Sequence, residues 1–222
     1  MSDVKYLTLA DEIVVLMLDD LTGALKAECT AVAPVAIVGG ILMELALQGR
    51  IDTDLESLYI IDATPVGDEL LDSTLAIIAA ETGAHPSAWW IEHLANRSVD
   101  YIHWILTRLV SAGVLREEQR KFLWVFSRRA YPSVSGLEGR EAKARLTAVL
   151  YSGEVPDPRD TLLLGLAKAT DVLYAMFSRH EMATLAPRID EVVALEEMGR
   201  SVSLVSAQIR DAMAAVLLAG YP

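Results

Sequence analysis

The sequence predicts a mainly α fold, a single helical domain over residues 1–222 with two small β-hairpins, and three observations support this. The apolar share is 53% while aromatics contribute 6%, so the core is built of Ala, Leu, Val and Ile, as when helices pack on helices. Apolar residues recur at helical spacing in stretches that start at capping residues and stop at glycine. Together these cover roughly 60% of the chain, against about a third in ordinary soluble proteins. Two short segments have hairpin character, and no connection is long or polar enough to separate independent domains.

Residues 8–18 read as the first helix, with Thr8 as cap, Asp11 three residues on, and Leu9, Ile13, Leu16 and Met17 on one face. Asp19 to Gly23 then turns into a short extended piece, Ala24 to Lys26. The second helix runs from about Pro34 to Gln48, with Pro34 in its first turn and Gly49 at its end. Gly39 and Gly40 inside it cost about 1 kcal/mol each relative to Ala, which predicts close approach of a neighbouring helix or loop. The first hairpin pairs Arg50 to Thr53 with Leu58 to Ile61 around a turn at Asp54 to Ser57. Asp68 caps a helix from Glu69 to about Glu81, and Ser87 to Ala95 forms a short one. A helix from Val99 to Ala112 stops at Gly113 and enters the second hairpin, which ends at Tyr131-Pro132. Further helices are expected at Arg140 to Tyr151, Asp160 to Phe177, 184–196 and 201–219. Helix, glycine stop, hairpin and helix thus occur twice.

Composition narrows the function. The longest apolar candidate for a membrane span, Val202 to Ala219, is interrupted by Gln208, Arg210 and Asp211. The N-terminus lacks the basic-then-apolar pattern of a signal peptide. The only cysteine, Cys29, leaves no internal disulfide and fits a reducing cytoplasm, as a small core filler. The four histidines, His85, His93, His103 and His180, have no metal-ligand spacing. Nucleophile-elbow, phosphate-loop and dinucleotide motifs do not occur. Neither a metal nor a cofactor is expected. Enzyme is the weakest class, and it would require a pocket uniting two or more of Glu92, His93, Asp100 and His103.

Charge is uneven. The net charge is -12, yet Ile105 to Leu150 holds nine Lys/Arg against four Asp/Glu, a local +5 that leaves -17 elsewhere. Inside this segment the apolar run Phe122, Leu123, Trp124, Val125 and Phe126 lies between Arg120-Lys121 and Arg128-Arg129. Basic side chains gain about 1 kcal/mol each near an anionic membrane, and Trp or Phe can enter its interfacial zone. These nine residues are the expected lipid contact. Alternatively, Phe122, Trp124 and Phe126 turn inward while the charges guard an edge strand, leaving Leu123 and Val125 as an apolar patch. A winged helix with 122–130 as the wing is disfavoured. The preceding helix has only Arg108 as a basic group, and the acidic body would repel a polyanion, so no nucleic acid is expected.

Several motifs in order carry a family resemblance: Leu7-Thr8-Leu9-Ala10-Asp11-Glu12, Glu44-Leu45-Ala46-Leu47-Gln48-Gly49-Arg50 and Pro65-Val66-Gly67-Asp68-Glu69-Leu70-Leu71-Asp72. Trp90-Ile91-Glu92, Gly113-Val114-Leu115, Phe122-Leu123 and Ala169-Thr170-Asp171-Val172-Leu173 follow. From about Leu7 to Ala219 the chain resembles the Golgi phosphoprotein 3 family, and its Ala-, Val-, Leu- and Asp-rich composition points to a bacterial, actinobacterial member. The resemblance implies a mostly helical, cytosolic peripheral protein. Eukaryotic members bind phosphatidylinositol 4-phosphate at Golgi membranes and act as adaptors for glycosyltransferase tails. They also carry an apolar hairpin linked to membrane insertion and self-association, here about Glu118 to Ala130. The Trp and three Arg of their headgroup pocket fall here on Cys29, Val38, Val99 and Ile102, none of which can pair with a phosphate. Arg97 and Arg108 are the remaining possible anion contacts. The expectation is a non-enzymatic cytoplasmic peripheral adaptor on an anionic phospholipid surface. The alternative is an interaction module whose hairpin makes a homo-oligomer without lipid.

Overall fold

The computed structural model describes residues 7–19, 21–54, 56–122, 126–134, 137–153, 156–197 and 201–220. Side chains within 119–122, 126–130, 137–140, 195–197 and 201–204 are left out of the description. Helices α1 (Leu9–Met17), α2 (Ala33–Leu47), α3 (Glu69–Ala80), α4 (Ser87–Ala95) and α5 (Ser98–Ser111) fill the first half, with strands β1 (Ile51–Thr53) and β2 (Leu58–Ile60) between α2 and α3. Strands β3 (Glu118–Phe122) and β4 (Phe126–Ala130) follow, then α6 (Leu137–Ser152), α7 (Pro158–Ala169), α8 (Arg179–Glu197) and α9 (Ser201–Leu218).

Helix α2 is the axis of the fold. Apart from Glu44 it is apolar all round and buried along almost its whole length, the pattern of a helix enclosed by others rather than lying at a surface. Helices α1, α9, α4, α5 and α7 surround it. The two internal glycines make this possible. A Cβ on Gly40 would stand 2.9 Å from the N and Cα of Ala10, so α1 crosses α2 nearly backbone to backbone. Gly39 instead faces the Met213 and Leu166 side chains.

The local signals act as their chemistry predicts. Thr8 and Asp11 form a reciprocal capping box, and the Asp68 carboxylate accepts from the Leu70 and Leu71 amides. Gly49 and Gly113 take positive φ immediately beyond α2 and α5.

Two expectations need correction. Residues 160–177 do not form one helix. Helix α7 ends at Ala169, Asp171 adopts φ +57°, and a single 3-10 turn covers Val172–Ala175. The buried Thr170 hydroxyl donates to the Leu166 carbonyl at 2.8 Å while Asp171, one of the few residue types that tolerate the left-handed region, reverses the chain. The apolar spacing of Leu162, Leu166 and Leu173 runs on through this break, so periodicity hides it.

The expected helical domain with two small hairpins becomes a mainly α body with one built-in hairpin, β1–β2. That hairpin lies on α9, α2 and α3, and the Thr53 hydroxyl hydrogen-bonds to Gln208 of α9. Strands β3 and β4 form an antiparallel ladder with each other among the described residues. Among the described residues, helices lie against both strands of the first hairpin.

Candidate functional site

The backbone of the basic segment is set by register. Phe122 stands opposite Phe126, Lys121 opposite Ser127, Arg120 opposite Arg128, and Gln119 opposite Arg129. Four basic positions therefore fall within one five-residue ladder, with two arginine positions directly across from each other. Leu123, Trp124 and Val125 lie outside the described residues. For Arg120, Lys121, Phe122, Phe126, Arg128 and Arg129 the backbone alone is described.

The root of the ladder is tied to the body. The Arg116 amide donates to the Pro132 carbonyl at 2.9 Å, and the Val134 amide donates to the Val114 carbonyl at 3.0 Å. Val114, Leu115 and Pro132 are buried, while Arg116 is exposed and pairs with Glu118 at 2.8 Å. Val15, Leu18, Asp19, Val114, Leu115, Tyr131 and Ser133 line a shallow crevice where this root meets the end of α1.

The two expected anion contacts part company. Arg97 is exposed at the N-terminal boundary of α5. The Arg108 side chain is 18% exposed and bridges Asp11 and Asp68 at 2.5 Å each, with the Thr8 hydroxyl at 3.3 Å. Its charge is already committed to two carboxylates. At the positions matching the family's headgroup pocket, Cys29 and Val38 are buried, Ile102 is half-buried, and Val99 is 77% exposed. None carries a charge. Glu92, His93, Asp100 and His103 are all exposed, and the His93 ring stacks on Trp89 at 4.6 Å between centroids.

A second ionic cluster, which the sequence reading missed, lies beside the first. The Arg145 side chain reaches Glu12 at 2.5 Å and Asp160 at 2.9 Å. Arg159 meets Glu44 at 3.0 Å and Glu12 at 3.5 Å, and donates to the Leu7 carbonyl at 2.5 Å. Glu44 also accepts the Leu9 amide at 2.9 Å. Burial raises the Glu12 pKa above its ordinary value, with the Arg145 and Arg159 charges opposing that shift. Glu12 lies 133 positions from Arg145 and Glu44 lies 115 from Arg159, so no short-range spacing could have revealed these two pairs. One indirect signal existed. Asp11, Glu12, Glu44 and Asp68 are four of the six carboxylates in the first three motifs of the family resemblance, and here they are what the arginines of α5, α6 and α7 grip.

A sequence model of Golgi phosphoprotein 3 (GPP34) matches residues 9–216. The chain belongs to the Golgi phosphoprotein 3 family. This is a non-catalytic family associated with lipid and membrane surfaces, typically peripheral and facing the cytoplasm. In this Golgi phosphoprotein 3 family member, no helix among the described residues is long and apolar enough to cross a membrane. Among the same residues, no cluster of three or more His, Cys, Asp or Glu is placed to hold a metal ion.

Proposed function

We propose that this protein is a cytoplasmic peripheral membrane adaptor that docks on anionic lipid through residues 120–129. Arg120, Lys121, Arg128 and Arg129 supply the electrostatic rim, and Phe122, Leu123, Trp124, Val125 and Phe126 enter the interfacial zone. The observation that carries the reading is the β3–β4 register, which collects four basic positions around the apolar run. Such a concentration of charge is costly in isolation and is relieved by an anionic surface, at about 1 kcal/mol per basic group. Arg97, exposed on the body, is a supplementary contact; Arg108 is not, since Asp11 and Asp68 hold it.

Recognition here is by charge and apolar insertion rather than by a phosphatidylinositol 4-phosphate pocket, because Cys29, Val38, Val99 and Ile102 offer a phosphate no partner. The Ala-, Val-, Leu- and Asp-rich composition fits a bacterial, actinobacterial member of the family.

Co-sedimentation with phosphatidylserine-containing vesicles tests this. Wild type should pellet, and a Trp124→Asp, Arg128→Glu, Arg129→Glu variant should stay in the supernatant. Equal pelleting of the two would refute the reading. Loss of an oligomer in that variant with vesicle binding intact would favour homo-oligomerisation as the hairpin's role.

A further inference from the structure

We infer that Gly23 is a positioning residue for the membrane contact: it seats the Tyr131–Pro132 peptide, at the base of β4, on the turn after α1 and so sets the direction in which residues 120–129 leave the body. This rests on the reading of residues 120–129 as the lipid contact and adds a residue that touches no lipid. Gly23 is buried, and a Cβ built on it would overlap the Tyr131 carbonyl carbon and oxygen and the Pro132 nitrogen. Those three atoms belong to one peptide group, so the glycine lies directly against a peptide plane. Its φ of +63° is one that other residues adopt only at a cost.

Both sides of the contact are stiff. Pro132 fixes its own φ and biases Tyr131 towards an extended conformation. The Arg116 amide donates to the Pro132 carbonyl at 2.9 Å, the Val134 amide donates to the Val114 carbonyl at 3.0 Å, and Leu115 pairs with Ser133. The chain entering β3 therefore moves with the chain leaving β4. On the other side, the Asp19 amide donates to the Ala24 carbonyl and the Lys26 amide to the Met17 carbonyl, each at 2.9 Å. The Asp19 carboxylate accepts the Leu21 and Thr22 amides at 3.2 and 2.7 Å, and the Lys26 ammonium donates to the Leu16 carbonyl at 2.8 Å. The turn is thus an extension of α1, which Arg108 and Arg145 hold through Asp11 and Glu12.

A two-stranded ribbon has little stability of its own, so the fixing of its base decides where its tip points. Direction matters for the contact. The attraction of a basic group to an anionic surface fades within about a Debye length, so a ribbon tilted away loses binding without losing a residue.

The test compares Gly23→Ala with Gly49→Ala on the full-length chain. Gly49 has nearly the same φ, +66°, but a Cβ there would meet no described atom within 4 Å. It therefore carries the backbone strain without the collision. Spin labels at Ser127→Cys and at the exposed Tyr174→Cys, with the only native cysteine removed as Cys29→Ala, report the hairpin's direction relative to the body. Gly23→Ala should shift or broaden that distance distribution. Without labels, it should weaken co-sedimentation with phosphatidylcholine–phosphatidylserine vesicles about fivefold, as for the loss of one basic contact. Gly49→Ala should change neither.

A wild-type distribution in Gly23→Ala overturns the inference, and so does the same shift in Gly49→Ala. A shifted distribution with undiminished binding also overturns it, and leaves the hairpin reading standing if the Trp124→Asp, Arg128→Glu, Arg129→Glu variant loses binding. Equal pelleting of that triple variant and wild type removes the hairpin reading and this inference with it. If Gly23→Ala does not fold, Asp19→Ala replaces it, since it opens the turn without adding an atom. That variant is read by distance alone, because it also removes a negative charge, and a distribution as narrow as that of wild type overturns the inference.

Discussion

Arg145 of α6 meets Glu12 of α1 at 2.5 Å, linking the helix that follows the basic hairpin to the helix that opens the fold. Glu12 is buried, whereas the Arg145 side chain is 41% exposed, so the carboxylate depends on the pair more than the guanidinium does. Removing one partner of a buried pair leaves an uncompensated charge, whereas removing both need not. Arg145→Met should lower stability by about 1–3 kcal/mol, at the lower part of the range for such losses because the arginine is partly solvated. Adding Glu12→Gln to that variant should recover part of the loss. A double-mutant cycle by urea unfolding measures the coupling, and strict additivity of the two changes would contradict the pairing.

Glu12 also sets a pH dependence. Its folded pKa is raised above the ordinary 4.5, chiefly by burial. Between the unfolded and folded values the native state binds more protons than the unfolded chain. The resulting stabilisation is fully present below the ordinary value and is lost as pH rises through the raised one. Glu12→Gln lacks this loss, so its stability relative to wild type should increase with pH across that window. Urea titrations at several pH values from the ordinary glutamate value to neutrality check the sign, and a difference independent of pH would contradict it.

The two glycines of α2 should not be equivalent. An added methyl at Gly40 meets the Ala10 backbone, which cannot turn aside, while one at Gly39 meets the Met213 and Leu166 side chains. Gly40→Ala should cost about 1–3 kcal/mol or more through overpacking. Gly39→Ala should cost less, since side chains can adjust and the helix gains about 1 kcal/mol of propensity. Thermal unfolding of the two variants should rank them in that order.

Arg97 and Arg108 should separate stability from lipid binding. Arg108→Met leaves Asp11 and Asp68 buried without their cation and should lose about 3–5 kcal/mol. Arg97→Glu lies at the exposed end of α5 and should change stability by no more than about 0.5 kcal/mol while weakening vesicle binding. Unfolding and co-sedimentation of both variants check the contrast.

Cys29 is 1% exposed, and burial pushes its thiol pKa upward. Thiolate is the reactive form, so an aromatic disulfide reagent should modify the folded protein slowly and the urea-unfolded protein rapidly. Comparable rates in both states would contradict its place in the core.

The amino-acid sequence by itself determined the helical class, the Thr8 and Asp68 caps, the glycine stops at Gly49 and Gly113, and the need for a close neighbour at Gly39-Gly40. These are local matters. A cap bonds amides two or three residues away, and a missing Cβ marks close approach without naming the neighbour. It also exposed the charge reversal at residues 120–129, because composition is legible without coordinates. Only the tertiary structure decided what the acidic motifs grip, that Arg108 faces inward while Arg97 faces out, and that Gly23 brings the Leu21 turn against the hairpin root. Each of these depends on side chains far apart in the chain meeting across helices. The break at Asp171 belongs with them, since an apolar stripe can continue past the last helical residue when tertiary packing, rather than periodicity, places the next turn.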